Sequence, residues 1–223
     1  MSTTAEKYGL SERIAVFIQN RRKPLVLCLG VIVLAAACII AALGIMGVLR
    51  KNAIAAAEEL NGRYEALRVN IGDESKEAET GALLEDLLSF AGKNRGLAGG
   101  RAWALAASVY ADKKEWAEAE QAWIKAAESA SKTYFEPIVF FHAGRAAEEQ
   151  GNTEGAIAHY TKSASFSFPS AARAQFSVGR LEEGRNNTEA ALEAYRTLVS
   201  KFPFETTWVN MARTRIIVLQ LKK

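Results

Sequence analysis

Two histidines and two cysteines are the side chains in this 223-residue sequence best suited to proton transfer, metal ligation or thiolate attack near neutral pH. His142 and His159 have no Asp or Ser at a spacing that suggests a nucleophile and base pair. Cys28 and Cys38 both fall in the uncharged stretch Pro24 to Leu49, so the 174 residues after Leu49 contain no thiol. Disulfide frameworks, zinc knuckles, CxxC redox centres and cysteine nucleophiles are thereby excluded from that part. No GxxxxGK[ST] loop, GxGxxG turn, HExxH helix or DxDxDG loop occurs. The sequence therefore predicts no catalytic residue, no cofactor and no bound metal, and points away from an enzyme.

The elements around these residues begin with that stretch, PLVLCLGVIVLAAACIIAALGIMGVL. As a helix its 26 residues rise about 39 Å, enough to cross a hydrocarbon core of about 30 Å. It is longer than the 7 to 15 apolar residues typical of a cleaved leader. Leu34-Ala-Ala-Ala-Cys38 resembles the site at which a bacterial lipoprotein is cut and acylated, but Ala35 stands where Leu is usual and Ile39 to Leu49 prolong the apolar run. An uncleaved single transmembrane helix is the expectation, with acylation of Cys38 as the alternative. Gly30, Ala37 and Ala41 would let another membrane helix approach closely.

Charge is placed unevenly. The net +3 resides in residues 1–23, where Lys7, Arg13, Arg21, Arg22 and Lys23 oppose Glu6 and Glu12, leaving 23 basic and 23 acidic side chains in the other 200 residues. A neutral body gives no electrostatic footprint for nucleic acid. Near the apolar run, Arg13, Arg21, Arg22 and Lys23 on one side face Arg50, Lys51 and Arg63 on the other. The small excess favours a cytoplasmic N-terminus and a periplasmic C-terminal part in a bacterial inner membrane.

Beyond residue 99 the sequence repeats itself. Ala119, Trp123 and Ala126 share their spacing with Ala156, Tyr160 and Ser163, and with Ala191, Tyr195 and Leu198. Twelve residues upstream of each triplet stands a small residue, Ala107, Gly144 or Gly179, and four before that Trp103, Phe140 or Gln175. Trp208 and Ala212 begin one more copy. Small side chains let helix backbones approach and aromatic rings fill the space beside them. Helix pairs are predicted at Gly100–Asp112 with Trp116–Ser131, Pro137–Gln150 with Thr153–Ser165, and Ala171–Glu183 with Thr188–Lys201, followed by Thr207–Leu221.

This pattern resembles the tetratricopeptide repeat, most fully at Trp103, Ala107, Tyr110, Ala119, Trp123 and Ala126, and least at Gln175 and Leu198. The resemblance implies an all-α fold, an N-terminal single transmembrane helix followed by a tetratricopeptide-repeat α-solenoid. The boundaries are a basic tail 1–23, the span 24–49, a linking helix 50–68 and a repeat domain 69–223. Within that domain a degenerate copy at 69–99 precedes copies near 100–136, 137–171 and 172–204 and a capping helix 205–223. The core would comprise Trp103, Ala107, Tyr110, Ala119, Trp123, Ala126, Phe140, Gly144, Ala156, Tyr160, Gly179, Ala191, Tyr195, Trp208 and Ala212.

In such repeats the first helix of each pair lines a groove, which implies a row of Arg145, Arg180 and Arg213 beside a row of Phe141, Phe176 and Val209. Guanidinium groups bind carboxylates in paired hydrogen bonds, so these rows would hold a peptide. The alternative is that each Arg pairs with glutamates on its own helix, Glu148 or Glu149 for Arg145 and Glu182 or Glu183 for Arg180. The whole plan resembles the YfgM-type ancillary subunit of the bacterial SecYEG translocon. That likeness implies a membrane-anchored protein-binding scaffold linking export to periplasmic chaperones, with SecYEG and those chaperones as partners. A cytoplasm-facing scaffold for a signalling or envelope-assembly complex is the alternative.

Overall fold

The structure, a computed structural model, describes residues 17–19 and 21–221. Most of the basic tail, with Lys7 and Arg13, lies outside the described residues. Every regular element among the described residues is helical. The chain divides into two units, Met1–Asn52 and Ala53–Lys223, and helix α1, Arg22–Leu67, enters both.

In the first unit α1 is apolar on all sides, with Val26, Leu34 and Ile40 each about two-thirds exposed. A helix without a polar face is suited to hydrocarbon, where its backbone hydrogen bonds are satisfied internally. By length and composition it is the one helix among the described residues able to cross a membrane.

In the second unit the last turns of α1 change character. Ala57, Leu60 and Tyr64, spaced three and four apart, form one buried stripe. The segment 50–68, expected as a linking helix, continues α1 as far as Leu67. Two 3-10 turns, Arg68–Asn70 and Glu74–Lys76, then lead to α2, Glu77–Lys93, the one α-helix lying wholly within the expected leading copy. The remaining helices are α3 (Gly96–Asp112), α4 (Trp116–Ser129), α5 (Glu136–Glu149), α6 (Thr153–Ser165), α7 (Ala171–Gly184), α8 (Thr188–Lys201) and α9 (Thr206–Leu221). From α2 onward each helix packs closely on the next, as short connections between helices require.

The turns repeat with the helices. Glu115 N–H donates to the Tyr110 carbonyl at 2.8 Å, and Asn152 to Ala147 and Asn187 to Glu182 do the same at 2.9 Å. The residue just before each donor, Lys114, Gly151 or Asn186, has φ between 59° and 75°, the left-handed conformation that closes a helix C-terminus. One turn geometry thus closes the first helix of each of the three pairs.

Packing follows the small and aromatic pattern. A Cβ at Gly144 would stand 2.8 Å from the Tyr160 ring, and one at Gly179 2.6 Å from the Tyr195 ring. α5 therefore meets α6, and α7 meets α8, through a bare glycine backbone under a tyrosine. Ala107, Ala119, Ala126, Ala156, Ala191 and Ala212 are fully buried, and Trp123 nearly so. Trp103, Tyr110, Phe140 and Trp208 are half-buried at the edges of these clusters. Lys125 covers the Trp103 ring at 4.6 Å.

Candidate functional site

The odd-numbered helices supply one wall of side chains, and three adjoining cavities run along it. The first, about 270 Å3, is bounded by Ala57 and Asn61 of α1, Ala104 and Leu105 of α3, and Ile138 and His142 of α5. The second, about 230 Å3, lies between Tyr64, Ser108, Trp123, His142 and Arg145. The third, about 300 Å3, is enclosed by Phe141, Arg145, Arg173, Phe176, Arg180 and Trp208. Ser108, Trp123 and His142 are common to the first two, and Arg145 and Glu149 to the last two.

Four of the six groove residues named from the sequence, Phe141, Arg145, Phe176 and Arg180, meet in the third cavity. Val209 and Arg213 do not join them. Val209 is buried in the cluster of Leu192, Tyr195 and Leu198, and Arg213 is exposed elsewhere on α9. Trp208 lines the cavity instead, 5.6 Å from Phe176, which also lies 5.4 Å from Tyr195. Arg173, which was not among the groove residues named from the sequence, places its guanidinium 5.0 Å above the Phe141 ring.

The arginines differ in their partners. Arg180 Nη2 lies 2.7 Å from both carboxylate oxygens of Glu148 on the preceding odd-numbered helix, not beside a glutamate of its own helix. The Tyr160 hydroxyl donates to the same carboxylate at 3.2 Å. One period later Arg215 Nε donates to Glu183 at 3.0 Å and the Tyr195 hydroxyl donates to Glu183 at 3.2 Å. Tyr160–Glu148–Arg180 and Tyr195–Glu183–Arg215 are thus the same arrangement, with each member displaced by 35 residues. Arg215, rather than Arg213, is the structural counterpart of Arg180 in this arrangement. Burial, then the neighbouring carboxylate, pushes Tyr195 up to about 12 and raises Tyr160 likewise.

At the other end of the wall Tyr64 donates to Asp112 at 2.9 Å, and Arg101 pairs with Glu58. These bonds seat the last turns of α1 on α3. His142 stacks on Trp123 with ring centres 4.7 Å apart. Burial, assisted by Arg145 and Arg173, pushes its pKa down to about 4, so the ring is neutral at pH 7. His159 lies outside the groove, where its Nε2 meets Glu120 at 2.9 Å while Gln150 donates to the other oxygen of Glu120 at 2.7 Å. The pair joins α4, α5 and α6 from behind. Among the described residues no group of three His, Cys, Asp or Glu side chains is placed to hold a metal.

What the wall offers is apolar contact beside guanidinium groups, a combination suited to peptides. The known proteins agree with the helical period. The tetratricopeptide repeat family matches residues 141–206, the stretch that contains both glycine and tyrosine contacts. A TPR repeat-containing protein of Treponema pallidum (strain Nichols) is 35% identical over 180 residues, covering 78% of this chain and 72% of its own length. With the repeat matched at 141–206 and a relative of this identity and coverage, the chain belongs to the tetratricopeptide repeat proteins.

Proposed function

We propose that the protein is a membrane-anchored scaffold that captures protein partners in the groove between α1 and α9. Tetratricopeptide repeats are protein-binding scaffolds, typically without enzymatic activity. The observation that carries the groove is the meeting of Phe141, Arg145, Arg173 and Phe176 in one cavity. The apolar part of α1, exposed at every residue from Pro24 to Leu49, supports anchoring in a bilayer. Tethering raises the effective concentration of a bound partner at the membrane without any new contact.

The finer reading places this scaffold in the bacterial inner membrane, N-terminus cytoplasmic and repeats periplasmic, as an ancillary translocon component that joins SecYEG to periplasmic chaperones. What supports it is the order of basic tail, single apolar helix and repeats, with the small excess of Lys and Arg before the helix. Fusions of the repeat domain to a reporter active only in the periplasm, and to one active only in the cytosol, test the orientation. The periplasmic reporter should be active. Activity of the cytosolic one alone would favour a cytoplasm-facing scaffold for a signalling or envelope-assembly complex. Cross-linking in membranes followed by mass spectrometry should recover translocon subunits or secretory chaperones, and recovery of neither would remove the translocon reading.

A further inference from the structure

Within the repeat unit the odd-numbered helices run one way. Glu58 and Tyr64 of α1 meet Arg101 and Asp112 of α3 in that order, and from α2 onward short connections make each helix antiparallel to the next. The N-terminal ends of α3, α5, α7 and α9 therefore share one edge, and the chain enters the unit at the same edge, at Ala53. Connections between helices ordinarily favour Gly, Pro, Asn, Asp and Ser. At this edge the connections 130–135, 166–170 and 202–205 carry two aromatic residues each, whereas the segments 68–76, 113–115, 150–152 and 185–187 at the opposite edge carry none. Core packing accounts for part of the difference. Phe135 packs on the cluster of Trp123 and Val139, and Phe202 on that of Leu198 and Val209. Tyr134 and Phe204, however, are 64% and 93% exposed, and Phe166 and Phe168 are half-buried. Lys93, Arg95, Lys132 and Lys201 lie in or next to the connections at this edge, against Glu136 and Glu205. Aromatic rings among cations suit a membrane–water interface, where the ring enters the headgroup layer and the charge stays in water.

We propose that this edge of the repeats binds the lipid headgroup layer, through Tyr134, Phe168 and Phe204. The proposal rests on α1 crossing a bilayer and holds for either orientation of the span. Leu49 ends the apolar run, and Ala57, eight residues on, is the first residue of α1 buried in the repeat unit. Eight residues reach at most about 29 Å, so the chain that emerges from the bilayer is a short tether to the edge that carries the rings. A short tether holds that edge at high effective concentration over the lipid, so a few rings suffice where a free domain would need a larger apolar patch. The contact gives the repeats a second, lateral attachment besides the single span. It leaves the opposite edge, with its polar turns, to the aqueous phase.

The test uses the full chain in nanodiscs of phosphatidylcholine with phosphatidylglycerol, carrying a benzophenone amino acid in turn at Leu34, Val69, Tyr134, Phe168 and Phe204. Mass spectrometry separates lipid adducts from protein adducts. Positions 134, 168 and 204 should yield lipid adducts, as should Leu34 in the span. Val69, apolar and 90% exposed but at the opposite edge, should yield none. Tyr134→Ser with Phe204→Ser should lower the lipid yield at position 168 about tenfold or more. Circular dichroism and melting temperature should stay at wild-type values, since both rings are exposed. Lipid adducts at 34 without any at 134, 168 and 204 would overturn the proposal, and so would an equal yield at 69. Adducts to protein in place of lipid at 134, 168 and 204 in native membranes would make the edge a protein interface and overturn it too. An unchanged yield at 168 in the double variant would remove the rings from the contact. Absence of lipid adducts at Leu34 would instead overturn the anchor reading on which the proposal rests.

Discussion

The helix pairs α5–α6 and α7–α8 and the group formed by α2, α3 and the end of α1 solve the same packing problem by opposite means. In the former, Gly144 lies under Tyr160 and Gly179 under Tyr195, so backbone meets ring directly. Each tyrosine then reaches a glutamate that an arginine of the next odd-numbered helix also binds. In the latter, α3 presents Ala102, Ala106 and Val109 while the bulk comes from Leu60, Tyr64, Leu83 and Leu87 on its neighbours. Close approach demands a small residue at a fixed position and leaves a periodic trace. Filling by leucines tolerates many arrangements and leaves none.

The comparison can be broken most decisively at the glycines. Gly179→Leu should destabilise the protein by about 3 kcal/mol or more, because the new side chain enters the space of a buried ring. Gly81→Ala in α2, where an added Cβ meets nothing within 4 Å, should instead stabilise by about 0.5–1 kcal/mol through helix propensity. Urea melts of the two variants decide this, and a tolerated leucine at 179 would remove the distinction between the regions.

His142, which stacks between them on Trp123, should make stability depend on pH. Its ordinary value is 6.5 and its folded value about 4. Between those pH values the unfolded chain takes up a proton that the folded chain refuses, so stability is full above pH 6.5 and falls as pH drops toward 4. The loss should be on the order of 2 kcal/mol and absent from His142→Phe, as read by denaturant midpoints at pH 7 and pH 4.5.

The polar ties should matter least. Glu148→Ala frees Arg180 and leaves the Tyr160 hydroxyl without its acceptor, an expected cost of about 1–2 kcal/mol. Tyr64→Phe removes a single hydrogen bond to Asp112 and should cost about 0.5–1 kcal/mol. Equal costs would mean that the repeated tie is no stronger than the solitary one.

The contrast also explains what could be read from the amino acids. The all-α repeat was legible because glycine and tyrosine recur sixteen residues apart in two copies, a spacing set by contact between the two helices of a pair. Partners across copies were not. Arg180 reaches Glu148, 32 residues away, rather than a glutamate on its own helix. Repeat numbering singled out Arg213 because Trp208 and Ala212 follow Gln175 and Gly179 by 33 residues, whereas α9 starts 35 residues after α7. Two residues turn a helix by about 200°, and Arg215 is the one that faces Glu183. The end of α1 lacks the small and aromatic spacing and so reads as a linker, although Leu60 and Tyr64 are buried against α2 and α3. Arg173 was not singled out because the neighbouring copies carry Ile138 and Thr206 at its offset, so no row of like residues marks it.

Binding in the groove is the central claim, and a photo-reactive amino acid placed in turn at Phe176 in the groove and at Arg196 on the exposed side of α8 tests it most directly in intact membranes. Protein adducts should form from position 176, should disappear with Arg145→Glu and Arg173→Glu, and should be absent from position 196. Adducts from position 196 alone, or adducts at 176 that persist unchanged in the charge-reversed variant, would contradict it.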